Sequence, residues 1–295
     1  MTRRKVKKKI KFIINPISGI GNKNDIPRLI KQHLDLNLFN YDITYTKHKE
    51  HAKHIAKESA KMKYDIVCAV GGDGSVHEVG TALIGTETKL AILPIGSGNG
   101  LARHLKIPLN IKDAINCINK NHTIKMDTVL VNDKSFLNVG GYGFDAIIAK
   151  KFNNFGKRGI RGYAYLIARE FFKYNPINVS IDLDGKIKTL PIVLCTVANA
   201  SQFGNGFTVS PKSDVTDGEL ELCILKPFSI WSAPSIIFRF FRKNGHKSRF
   251  TEIIRFKKIT ILLSKKIAHY DGEPFDVKEK LKISVVPKSL NILVG

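Results

Sequence analysis

The chain has 295 residues, 43% of them apolar and 25% charged, which suits a folded protein of two ordinary domains and excludes a disordered or fibrous one. No run of about 18 apolar residues is present, so no membrane-spanning helix is expected. Lys and Arg number 48 against 25 Asp and Glu, and the formal net charge of +23 attracts polyanions: nucleic acid, an anionic membrane leaflet or phosphorylated small molecules.

The N-terminal MTRRKVKKKIKF is basic but has no apolar segment of signal-peptide length before the first strand, so export is not expected. Strand-like and helix-like segments then alternate over about the first 125 residues. KKIKFIINP, YDITYT, YDIVCAV and KLAILPIG read as strands; DIPRLIKQHLDL, HAKHIAKESAKM, SVHEVGTALIG and NGLARHLKI read as helices. IVCAV and LAILPI are continuous apolar runs, as strands covered by helices on both faces require. This alternation predicts βαβ units on a parallel sheet, closed by IKDAINCINKNH.

Beyond Asp127 the texture changes. NVSIDLDGKIKTLPIVLCTVAN alternates apolar and polar residues around a DG hairpin signal, and GELELCIL, KKITILLS and KLKISVV read the same way. Helical insertions are expected near RGYAYLIAREFFKY and WSAPSIIFRFFRK. The fold class is therefore α/β plus all-β: a Rossmann-like three-layer domain over residues 1–127, completed by 288–295, and an antiparallel β-sandwich-like domain over 128–287. The active site is expected in the cleft between the domains. Cys68, Cys117, Cys195 and Cys223 form no CxxC pair, and three sit in apolar runs, which suggests buried thiols in a reducing, cytoplasmic compartment.

Glycine-rich turns follow three strands of the first half: NPISGIGN, GGDGS and GSGNG. In an open parallel sheet, ligands bind at the carboxyl ends of the strands, where all three turns must lie. Glycine lets the backbone approach a ligand and point consecutive N–H groups at an anion, and a helix beginning at Ser75 or Asn99 would add its N-terminal dipole. Three such turns on one rim point to a phosphate ligand. GxxxxGK[ST] is absent, and the GxGxxA of GGYGFDA lacks the βαβ context of a dinucleotide fingerprint. Asp73 is the one carboxylate inside such a turn. It would repel phosphates unless a cation intervened or it handled a proton, and its Gly-Gly-Asp-Gly context favours such a functional role over a plain cap on the helix near Ser75.

These residues resemble a known family. GGDGSVHEV, with NPISG before it and PIGSGNGLARHL after it, is similar to the catalytic domain shared by diacylglycerol kinases, bacterial lipid kinases, and sphingosine and ceramide kinases. MDTVLVN, NVGGYGFDA, SPKSDVTDGELEL and HYDGEPF follow in the family's order, so the resemblance runs from about residue 10 to 287. It implies an ATP-dependent lipid kinase using Mg2+. Asn15, Ser18, Gly19 and Thr46 would line the nucleotide pocket. Gly71, Gly72, Gly74, Ser75 and His77 would wrap the phosphates, met by Ser97 and Asn99. Glu273 or Asp73 would be the general base, with Asp127 in an acidic network around the reacting phosphates. Asp214, Asp217 and the backbone of Glu219 match a structural magnesium site, although SDVTDGE alone reads as an acidic turn.

One position departs from the family: Gly100 stands where bacterial diacylglycerol-type kinases usually carry Asp, which leaves the lipid open between diacylglycerol and sphingoid or ceramide types. The resemblance also implies a peripheral partner, the anionic membrane surface that holds the lipid, and leaves room for a homodimer. RRKVKKK, KRGIRGY and RKNGHKSRF would face the headgroups. FSIWSAPSIIFRFF could dip into the interface, but such runs more often pack on a sheet, and that is the expectation. Competing readings are an NAD kinase-like enzyme, a nucleotide-binding regulator without activity, and a basic nucleic-acid binder. No nucleic acid is expected, because aromatics are not interleaved with the basic residues in a binding module.

Overall fold

The computed structural model describes residues 6–17, 25–153, 160–171, 173–263, 267–277 and 279–295. The chain divides into two compact units, residues 1–126 with 288–295, and residues 127–287.

The first unit carries β1 (Lys8–Ile14), α1 (Ile26–His33), β2 (Phe39–Tyr45), α2 (His51–Lys61), β3 (Ile66–Gly71), α3 (Asp73–Leu83), β4 (Lys89–Pro94), α4 (Gly100–His104) and α5 (Ile111–Lys120). β2, β1, β3 and β4 lie side by side and parallel, in that order. Every residue of β3 is buried, the signature of a strand covered on both faces. Asn119 ties α5 to α1 by accepting from Asp35 N at 2.9 Å and donating to His33 O at 2.8 Å. Residues 18–24, which include Ser18 and Gly19, lie outside the described residues, as do 1–5 and 157–159 of the two basic stretches.

The second unit holds β5 (Thr123–Val131, entering from the first unit), β6 (Lys134–Phe136), β7 (Val139–Gly143), α6 (Phe144–Asn153), α7 (Ile160–Phe171), β8 (Ile177–Leu183), β9 (Lys186–Ile192), β10 (Leu194–Ala198), β11 (Gln202–Gly204), β12 (Phe207–Thr208) and β13 (Leu220–Leu225). It continues through α8 (Ala233–Phe241), β14 (Thr251–Phe256), β15 (Lys258–Leu263), β16 (Ile267–Tyr270), β17 (Glu273–Asp276) and the long β18 (Lys280–Leu293). From Lys288 onward β18 belongs to the first unit, where Ile292 pairs in parallel with Leu90 of β4.

One antiparallel sheet of the second unit runs β14-β13-β10-β7-β16-β17; another joins β18, β15, β8 and β9. Their inner faces share one core, with Val179, Ile181, Ile259 and Ile283 from one sheet against Tyr142, Val197, Leu222 and Ile224 from the other. The far side of the first of these sheets is covered by helices: Ile148 of α6, Leu166 of α7, and Ile236 and Phe240 of α8 join Val139, Val193 and Cys223 in a second core. α6, directly after the glycines of β7, is a helix that the sequence reading did not anticipate. All four cysteines are free and buried. Among the described residues, no helix is long and apolar enough to cross a membrane.

Candidate active site

The register of the parallel sheet fixes where its turns come out. Ile14 pairs with Tyr45 and with Val70, and Val70 pairs with Leu93, so β1–β4 end level with one another. The ladder continues one residue further: Asn15 N donates to Val70 O at 3.1 Å, Thr46 N to Ile14 O at 2.9 Å, and Ile95 N to Gly71 O at 3.0 Å. The three glycine-rich turns therefore leave from one edge, and their described residues touch. Asn15 Nδ2 lies 3.3 Å from Ser75 Oγ in the next turn. A Cβ built on Gly96 would sit 2.4 Å from Gly72 Cα, a distance no side chain tolerates. Only glycine lets these two backbones meet.

Asp73 is not the plain cap that was the alternative to a functional role. α3 starts at Asp73 itself, with Gly72 as N-cap and no side-chain capping bond. The carboxylate points instead to the next turn, where Oδ2 accepts from Asn99 N at 2.9 Å and Oδ1 from Gly100 N at 2.7 Å. Asp73 thus holds the entrance of α4. Asn99 has a left-handed backbone (φ 53°) and closes its own turn, its Oδ1 accepting from Gly96 N at 3.1 Å and its Nδ2 donating to Gly96 O at 2.7 Å. Its side chain serves the turn, while Ser97 stands exposed beside it. Gly74 is exposed on the first turn of α3, and a Cβ there would meet no atom within 4 Å. Among the described residues, nothing fills the space above the α3 N-terminus, whose first N–H groups carry the positive end of the helix dipole. His77 lies half-buried on the next turn of α3, and Thr46 is half-buried at the edge by β1.

In the second unit, Asp127 is fully buried and its Oδ2 accepts from Gly218 N at 2.7 Å, so it clamps the SDVTDGE turn. Asp127 N donates to Val215 O in the same turn. The acids of that turn are engaged locally: Asp214 Oδ1 accepts from Thr216 N (2.9 Å) and Thr216 Oγ1 (2.7 Å). Asp217 and Glu219 share Arg255, which forms an ion pair with Asp217 and lies 3.1 Å from Glu219 Oε2. Burial pushes the nearby Glu221 carboxyl above its ordinary range, although Ser213 Oγ donates to it at 3.0 Å.

The DGE segment is a hairpin turn. Asp271 (φ 46°) and Gly272 (φ +84°) both take positive φ, as a two-residue turn between β16 and β17 demands, and Glu273 follows as the first residue of β17, half-buried. Asp271 anchors the turn: Oδ2 accepts from Leu137 N at 3.0 Å, and Oδ1 from Asn138 N at 2.9 Å and Val139 N at 3.3 Å. Glu273 is thereby mounted on a turn tied to the start of β7.

Comparison with known proteins decides what this arrangement belongs to. Residues 9–131 match the diacylglycerol kinase catalytic domain, and residues 138–294 match the YegS C-terminal NAD kinase beta sandwich-like domain. An uncharacterized protein of Synechocystis sp. is 30% identical over 95% of this chain and 69% of its own length. The chain belongs to the diacylglycerol kinase catalytic-domain family. Within it, a diacylglycerol kinase of Bacillus subtilis is 29% identical over 74% of this chain and 74% of that one. A structure of a diacylglycerol kinase from Bacillus anthracis covers 98% of this chain and 97% of its own with a TM-score of 0.74 at 22% identity, a likeness of fold. The family is one of lipid kinases, and membership makes the chain a phosphotransferase.

The residues present fit one of the family's two expected ligands better than the other. An uncapped helix N-terminus under the open space at Gly74, with Asn15, Ser75 and Thr46 at the same edge, suits a phosphate chain. The SDVTDGE turn does not suit a structural cation: its two downstream carboxylates already share the Arg255 guanidinium, and among the described residues no group of three His, Cys, Asp or Glu is gathered to hold a metal. Sequence reasoning missed Arg255 and Asp271, and also a buried pair in which His269 Nε2 lies 3.2 Å from Asp145 Oδ2, itself bonded to Thr196 Oγ1 at 2.9 Å. The signal for Asp271 was present as Asp-Gly between two strand patterns, the composition of a two-residue hairpin turn.

Proposed function

We propose that this family member transfers the γ-phosphate of MgATP, bound as substrate, to the free hydroxyl of a diacylglycerol-type lipid. The contact of the three glycine-rich turns at one sheet edge carries the reading, because backbone N–H groups and a helix dipole are what polyphosphate binding needs. Phosphoryl transfer then depends mostly on positioning and on neutralising charge over the transferred oxygens. Asn15, Thr46, Gly71, Gly72, Gly74, Ser75, His77 and Ser97 bind the nucleotide, with Asn99 shaping their turn.

Glu273 is the general base in this proposal. It takes the proton of the lipid hydroxyl as the oxygen attacks the γ-phosphorus and ADP leaves. Asp73 acts as the positioning residue, since both its oxygens accept from the backbone of Asn99 and Gly100. Gly100 supports the reading that the Asp73 clamp needs only a backbone N–H at this position.

The test uses full-length protein, labelled ATP, Mg2+ and separate vesicles carrying diacylglycerol, sphingoid base or ceramide. Label in diacylglycerol is expected. Label confined to a sphingoid base or ceramide would reassign the acceptor, and label in no lipid would defeat the kinase reading.

A further inference from the structure

α8 sits on the second unit with two of its residues turned inward: Ile236 and Phe240 are buried, and Phe240 stacks on Phe207 with ring centroids 5.0 Å apart. Its other large side chains face out. Trp231 is 90% exposed, Phe238 60%, Phe241 52% and Ile237 45%. The sequence reading expected this run to pack on the sheet; only one of its faces does. Single exposed apolar residues are ordinary, but four large ones on one short helix and its preceding turn form a patch that marks an interaction surface.

The charge around the patch identifies the partner. Arg239, Arg242 and Lys243 are exposed among the aromatics, and the Arg242 guanidinium lies over the Phe238 ring, 5.4 Å from its centroid. From residue 222 to residue 251 the chain contains no Asp or Glu, and Lys and Arg number six. Trp and Phe beside cations, without acids, match the layering of a bilayer surface: apolar rings at the acyl boundary and positive charge at the phosphates. A second copy of the same face is a poor occupant, because two-fold pairing would set these cations against their own copies.

We propose that α8 and the turn before it dock the protein on an anionic lipid bilayer, with Trp231, Ile237, Phe238 and Phe241 entering the interface and Arg239, Arg242 and Lys243 on the headgroups. The inference deepens the lipid-kinase reading by naming the face that meets the membrane, and it can fail separately from that reading.

Trp231 is the chain's only tryptophan, so its emission reports this face directly. Full-length protein is titrated, without ATP, with vesicles of phosphatidylcholine alone or mixed with phosphatidylserine. With the anionic vesicles, the emission shifts to the blue and is quenched by brominated acyl chains; neutral vesicles give a much weaker response. The Arg239→Gln/Arg242→Gln double change lowers partition roughly 25-fold at low salt, about fivefold per charge. Ile237→Ser/Phe238→Ser, which spares Phe241 and its edge-on contact with Phe207, lowers it about tenfold or more through the lost apolar contact, with far-UV circular dichroism and melting temperature unchanged. On detergent-dispersed diacylglycerol, this second variant keeps its turnover. Sedimentation with vesicles while Trp231 emission stays fixed would overturn the proposal, as would no vesicle binding at all. So would a lipid-independent blue shift that grows with protein concentration alongside dimer formation. Docking without phosphorylation of any lipid would defeat the kinase reading and leave this one standing; phosphorylation in detergent without docking would do the reverse.

Discussion

The GGDGS turn of the first unit and the DGE turn of the second each place an acid beside glycine, yet they divide their labour differently. In GGDGS the single carboxylate, Asp73, is itself the clamp, holding Asn99 N and Gly100 N of the neighbouring turn. In DGE the clamp is Asp271, bonded to the backbone of residues 137–139, and a second carboxylate, Glu273, follows it two residues on. Where one acid must both shape the site and act in it, the shaping uses both its oxygens. Where two are present, the chemistry can fall to the second.

The largest effect expected from this division is on turnover. Glu273→Gln keeps the size of the side chain and removes the proposed base, so kcat is expected to fall about 10²- to 10⁴-fold, while ATP affinity and melting temperature hold. Asp73→Asn acts through structure. Its amide cannot accept at both positions, one N–H is left facing another, and about 1–3 kcal/mol of stability goes with it. ATP affinity drops in step, because the turn that loosens is one of the three that meet at the edge. Equilibrium ATP binding and thermal melts on both variants separate the roles. If Glu273→Gln weakened ATP binding as much as Asp73→Asn, the contrast between the turns would be lost.

A smaller and purely steric test concerns the contact between turns in the first unit. Gly96→Ala puts a Cβ 2.4 Å from Gly72 Cα and 2.8 Å from Asn99 Oδ1, so the backbone has to move, at a cost of about 1–3 kcal/mol and a clear loss of ATP affinity. Gly72→Ala meets Gly96 Cα at 3.2 Å and is the milder of the two, and Gly74→Ala meets nothing within 4 Å. The stability order Gly96 worst, Gly72 intermediate, Gly74 near neutral is what melting curves should return. Gly74→Ala is then the informative variant for function, since a methyl group there intrudes on the proposed phosphate site and not on the fold.

Much of the first unit could be read from the sequence because a parallel sheet is a local device. Each strand, turn and helix is contiguous, and parallel pairing sends every turn after a strand to the same edge, so the sequence alone puts GGDGS and GSGNG together. The partners of the carboxylates could not. Asp73 reaches N–H groups 26 and 27 residues away, and Asp271 reaches across more than 130. Which donors an acid meets is decided by tertiary packing, and the residue itself carries no mark of it. Arg255 was hidden in the same way: nothing in TEIIRF announces that its arginine will cross to Asp217 and Glu219 on the adjacent strand's approach. In α8, PSIIFRFF is apolar on nearly every side, so its pattern alone could not say which face would be covered.

The smallest expected effect belongs to Glu221, an acid in the second unit with a different burden. It is 6% exposed on β13, and burial is the first cause of its raised carboxyl pKa, partly offset by Ser213 and by Arg255 and Lys212 nearby. The sign follows from linkage. A carboxyl whose folded pKa lies above its unfolded value binds its proton more tightly in the native state. Its favourable share of stability is therefore present below the unfolded pKa, about 4.3, and is lost as pH rises through the folded value. Glu221→Gln removes the charge and keeps an oxygen to accept from Ser213 Oγ. The variant should melt like the parent near pH 4 and slightly higher at pH 7, by under about 1 kcal/mol in stability, with the gap opening as pH rises. Parallel melts of the two proteins across that range would show it. A variant that melts lower than the parent at neutral pH would mean instead that the ionised Glu221, drawn toward Arg255, helps to hold the SDVTDGE turn together with Asp217 and Glu219.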